Sequence, residues 1–152
     1  MDTTDFLKSE REAIVEDAET GLRGRHVRHY ETVDPTEVRG RLETLFDHLL
    51  GAAQGRDLSA IVAYASQVAD ERFKAGYDLS EVQVAFNALE EAAWRRVFEA
   101  LDPSDYAEAL GLVSTILGVA KDALGRAYVS LATEAHAPSM DLKALFAGSE
   151  GT

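Results

Sequence analysis

RFKAGYDLSEVQ, residues 72–83, decides how the chain is read, because in twelve letters it closes one helix and opens another. Gly76 suits the left-handed turn that commonly follows a helix. Asp78-Leu-Ser-Glu81 then has the spacing of a capping box, in which the Asp78 and Glu81 side chains each satisfy a backbone donor of the next first turn. Tyr77, just before the cap, is placed to staple onto that turn. An Arg, a Tyr and two acids at such a junction could signal chemistry, but capping is a sufficient role for the acids.

Working outward, helical spacing continues on both sides. Upstream, a helix from about Asp57 turns Ile61, Tyr64, Ala65 and Val68 inward and stops at Gly76. Downstream, residues 79–101 carry Val82, Phe86, Leu89, Ala93 and Val97 on one stripe, widened by Trp94 and Phe98. Asp102-Pro103 starts a last helix that runs to about Ala135. Asp34-Pro35-Thr36-Glu37 starts another, with a cap, Pro at the first helical position and acid in the first turn. Its buried face is Leu42, Leu45, Phe46, Leu49 and Leu50, and the glycines at 51 and 55 are expected to end it. A first helix is expected from Thr4 to Thr20, stopping at Gly21.

With three prolines and almost no strand-like alternation, the chain reads as an all-α bundle of five to six helices. At 152 residues it is one domain, able to bury roughly 70 per cent of its unfolded surface. Residues 1–136 form the helical domain and 137–152 a flexible tail or linker. Leu142, Leu145 and Phe146 of that tail share a face, so it is either a short docking helix or a frayed end.

Composition removes several functions. The chain has no cysteine, which excludes disulfides, thiolate zinc sites and cysteine nucleophiles. Fifteen basic against 27 acidic residues give a net charge of -12, so nucleic acid and anionic membrane are poor partners. The opening MDTTDFLKSERE lacks the basic and apolar regions of a signal peptide. The uncharged run Ala109 to Ala120, which no other exceeds, is too short to span a bilayer. A soluble cytoplasmic protein is expected. No phosphate-binding loop, nucleophile triad or paired-carboxylate signature is legible, and we expect no enzyme, no cofactor and no metal.

Three groups of residues stand out. Gly111, Gly118 and Gly125 are spaced by seven in the last helix, with Ser114 and Asp122 near the same face. Each glycine forgoes about 0.8–1 kcal/mol against alanine, which calls for a compensating close approach of another backbone, within the fold or from a second subunit. Tyr64, Phe73, Phe86, Trp94 and Phe98 are candidates to line an apolar ligand cavity, although aromatics at helical spacing more often form core. Arg23, Arg25, His26, Arg28 and His29 concentrate positive charge in an otherwise acidic chain. They are a candidate partner patch, responsive to pH through the histidines, or a solvated basic loop that neutralises nearby acids.

The run ERFKAGYDLSEVQVAFNALEEAAWRRV, residues 71–97, resembles the N-terminal regulatory domains of the RsbR family, the RsbT co-antagonist proteins of bacterial stress signalling. Arg72, Gly76, Leu79, Glu81 and Val82 carry the resemblance, followed by a helix with Leu89 and Trp94. RHYETVDPTEVRGRLETLFDHLL, residues 28–50, is similar to the family's second helical segment, and the resemblance extends over residues 5–135. It implies a globin-like fold without haem that acts as a homodimeric input module. In RsbR proteins a phosphorylatable STAS domain follows; here STAS-domain or kinase partners would supply output, or the chain is one domain of a longer protein.

Two other functions fit a helical chain of this length. A haem globin needs an axial ligand, usually a histidine on a late helix. The four histidines fall at 26, 29, 48 and 136, with none between Ala52 and Ala135. A histidine phosphotransfer bundle would use His48 in DHLLGAA, residues 47–53. Such domains place a lysine close after the histidine, where Leu49, Leu50 and Gly51 stand here, so His48 reads as a helix-surface or boundary residue.

Overall fold

The computed structural model describes residues 2–25 and 32–136, and among these it contains six α-helices, one short 3-10 helix and no strand. The helices are α1 (Thr3–Ser9), α2 (Arg11–Arg23), α3 (Pro35–Gly55), α4 (Ser59–Lys74), α5 (Leu79–Ala100) and α6 (Tyr106–His136), with the 3-10 turn Pro103–Asp105 leading into α6. The protein is an all-α helical bundle.

α6 is the spine. It packs chiefly against α4 and next against α5, while α2 lies along α5 and α3 crosses between them. Ala109, Val113, Leu117, Ala120 and Leu124 of α6 are fully buried. They meet a core that includes Phe6, Leu7, Ile14, Phe46, Leu49, Ile61 and Leu89. Each large side chain so buried contributes about 1.5–3 kcal/mol, so this single cluster accounts for the arrangement of the helices.

The start of the chain departs from the sequence expectation. The helix expected from Thr4 to Thr20 is two helices, broken at Glu10, and Gly21 lies inside α2. The break falls where the Glu10 carboxylate accepts a 2.7 Å hydrogen bond from Arg96 Nε of α5, a contact that sequence spacing does not contain. Gly21 fails to stop α2 because burial of Leu22 outweighs a propensity loss of about 1 kcal/mol. α3 continues through Gly51, held by buried Ala52 and Ala53, and ends at Gly55 as expected, with Arg56 as a non-glycine cap at φ 51°.

Candidate functional site

The junction at residues 72–83 is a helix joint with further contacts. α4 closes in a Schellman arrangement: Tyr77 N donates to the Arg72 carbonyl at 2.9 Å and Gly76 N to the Phe73 carbonyl at 3.1 Å, with Gly76 at φ 89°. α5 then opens with the capping box read from the sequence, Asp78 N donating to Glu81 Oε1 at 2.8 Å.

Tyr77 does more than staple the first turn. It is buried, its carbonyl accepts from the Tyr128 phenol of α6 at 3.0 Å, and its own phenol accepts from Arg41 Nη1 of α3 at 3.0 Å. The Arg41 and Arg72 guanidinium carbons each lie 5.9 Å from the Tyr77 ring centroid. Four helices therefore meet at one tyrosine. Burial pushes the Tyr128 phenol up to about 12, with Arg72 pulling the other way. Burial also raises the Tyr64 phenol against the opposing pull of Arg72 and Arg41.

Beside this joint is a cavity of about 20 Å³ between α2, α3, α4 and α5, lined by Arg41, Arg72, Tyr64 and Phe86 among Leu and Val side chains. Of the five aromatics proposed for a ligand cavity, it gathers Tyr64 and Phe86 alone. Phe73 packs edge-on against Tyr128 with centroids 5.7 Å apart, and Phe98 against Tyr106 at 5.0 Å. Trp94 and Phe98 are 39% and 53% exposed, on the outside of α5. Among the described residues the five therefore do not line one enclosed cavity. A stripe widened over that many positions wraps more of the helix than its neighbours cover, and the outermost aromatics are left in solvent.

The glycine stripe also faces outward. A Cβ built at Gly111, Gly118 or Gly125 would meet nothing within 4 Å, so among the described residues no backbone approaches the stripe closely from within the fold. A seven-residue period places residues on one face of a helix without saying which face is buried, and here the core takes Val113, Leu117, Ala120 and Leu124 instead. Ser114 is half-buried and Asp122 exposed, its carboxylate accepting from Arg126 at 2.8 Å.

Leu79 and Gln83 of α5 border a shallow groove with Lys121, Asp122, Gly125, Arg126 and Val129 of α6. Further along, Lys121 Nζ donates to Asn87 at 3.0 Å and to the buried Glu90 at 2.7 Å. Four residues on from Glu90 comes Trp94, and four further Phe98, the stagger that stacks side chains along one helix face. Trp94 and Phe98 of α5 and Val129 of α6 are the exposed large apolar side chains among the described residues.

Of the basic segment, Arg23 lies 3.6 Å from Glu19 and Arg25 is ion-paired with Glu91. His26, Arg28 and His29 lie outside the described residues, as does the 137–152 tail. His48 is half-buried and stacks on Tyr64, with centroids 4.3 Å apart. Among the described residues no three His, Cys, Asp or Glu side chains stand together as a metal site, and no helix is long and apolar enough to cross a membrane.

The family model described as the RsbT co-antagonist protein RsbRD N-terminal domain aligns with residues 12–139, which takes in α2 through α6. Neither the curated proteins nor the solved structures give a match. With most of its length aligned, the chain belongs to the RsbRD N-terminal domain family of RsbT co-antagonists, whose members are regulatory modules of stress signalling.

Proposed function

We propose that this domain is a non-enzymatic, haem-free sensory module, globin-like in arrangement, that works as a homodimer and passes its state to STAS-domain or kinase partners in the cytoplasm. One pair of observations supports the dimer: α6 turns its glycine stripe outward, and Trp94 and Phe98 of α5 and Val129 of α6 are exposed. Exposed aromatics on a two-helix face mark association surfaces, and glycines let a partner helix approach closely. A two-fold pairing of this face would set α5 and α6 against their copies, with Gly118 near the centre. The haem-free reading is supported by His48, whose ring is engaged with Tyr64.

Sedimentation equilibrium of the purified chain tests the dimer. A mass of two chains is expected, and a single-chain mass at every accessible concentration would remove this route of signalling. Haemin titration tests the rest: no stoichiometric haem band is expected, and a band lost on changing His48 would favour the haem-sensor reading.

A further inference from the structure

Tyr77 is held from two directions. Its phenol accepts from Arg41 Nη1 of α3 at 3.0 Å, and the Arg41 and Arg72 guanidinium carbons each lie 5.9 Å from its ring centroid. From α6, the Tyr128 phenol donates to its main-chain carbonyl at 3.0 Å. Tyr77 is 7% exposed, so these contacts form away from water, where hydrogen bonds and charge attraction are stronger.

The bond between Tyr128 and Tyr77 adjoins the shallow groove of α5 and α6 at both of its ends. Leu79, two residues after Tyr77 and the first of α5, lines that groove. So does Val129, the residue after Tyr128, with Gly125 one turn earlier. Successive residues of a helix point about 100° apart, which lets Tyr128 stay buried while Val129 is exposed. The two walls of the groove are therefore tied together through the Tyr77 carbonyl, and Tyr77 is tied through its phenol to α3. Residues 75–78 lie between the end of α4 and the start of α5, and these contacts hold them against α3 and α6.

We propose that Tyr77 is a positioning residue that links α3 to the groove: losing the Arg41 contact loosens the joint and, with it, Leu79, Gly125 and Val129. Arg41 does not line the groove, so a change on α3 would be read at a surface that Arg41 does not touch. The path is a contiguous one, made of two hydrogen bonds and the residue between them. Its regulatory value rests on the dimer proposed for α6, but the link acts within one chain, so either can fail without the other.

Amide hydrogen exchange of the whole chain, read by NMR at one fixed concentration, tests the link. Tyr77→Phe keeps the ring and the main-chain carbonyl and removes only the phenol; Arg41→Met removes the donor. In each variant the amides of residues 81–83 and 125–129 should exchange about fivefold faster relative to those of Ile14, Val15 and Ala18, buried in α2, which report general opening. The double variant should exchange no faster than Arg41→Met, because both changes remove the same bond. A rise shared equally by α2 would show general destabilisation and overturn the proposal. An unchanged groove in either single variant would overturn it too, as would additive rises in the double one.

Discussion

The Tyr128 phenol donates to the Tyr77 main-chain carbonyl across 3.0 Å, tying the middle of the last helix to the joint between α4 and α5. Tyr128 is 6% exposed, so the carbonyl it serves has little access to water as an alternative. The bond gives a turn that is locally well capped a fixed position against α6.

Tyr128→Phe should therefore destabilise the fold by about 1–3 kcal/mol, the cost of an unsatisfied buried acceptor, as read by urea unfolding. The same phenol makes a pH prediction. Its folded pKa, raised to about 12 from an ordinary 10.0, means that the folded state holds the proton longer than the unfolded chain. The associated stability is complete below pH 10 and is lost as pH rises towards 12. Wild-type stability should fall across that window more steeply than that of Tyr128→Phe. Equal slopes would show that Tyr128 does not titrate as its burial implies.

Asp78→Ala removes one half of the capping box on α5. A loss of about 0.5–2 kcal/mol is expected, with the helix content at 20 °C little changed because α5 is held by Val82, Phe86 and Leu89 in the core. If the variant kept full stability but lost partner binding, the acids of the joint would have a function beyond capping.

Lys121→Met strips Glu90 of its ammonium partner while leaving the carboxylate buried. Breaking one side of such a pair costs about 3 kcal/mol, and changing both partners to apolar residues recovers most of it. Chemical unfolding of Lys121→Met and of the Lys121→Met, Glu90→Leu double variant is the measurement. A double variant no more stable than the single one would mean that the pair does not act as a unit.

Gly118→Leu places a bulky side chain where a Cβ meets nothing within the chain. The expected product is a folded monomer with wild-type helix content, seen by circular dichroism together with sedimentation. An unfolded product would contradict the outward position of the stripe, and an intact dimer would place the dimer surface elsewhere.

Helix class and most helix ends were legible in the sequence because their causes are local. Asp34-Pro35 and Asp78 to Glu81 satisfy backbone donors within a few residues, and Gly76 supplies a positive φ at its own position. Family membership was legible for the same reason, carried by joint residues such as Arg72, Gly76 and Glu81. The tertiary structure alone revealed the break at Glu10, where the side chain meets Arg96 from 86 positions away, and the persistence of α2 through Gly21. It alone decided which side of α6 the glycines take, since periodicity defines a face but only the packing of α4 and α5 selects the one that is buried. The assembly of Arg41, Arg72, Tyr64 and Tyr77 is of this second kind. Their hydrogen bonds and ring contacts join α3 to the α4 and α5 joint across 36 residues of sequence, and distance along the chain leaves no local pattern for such a contact.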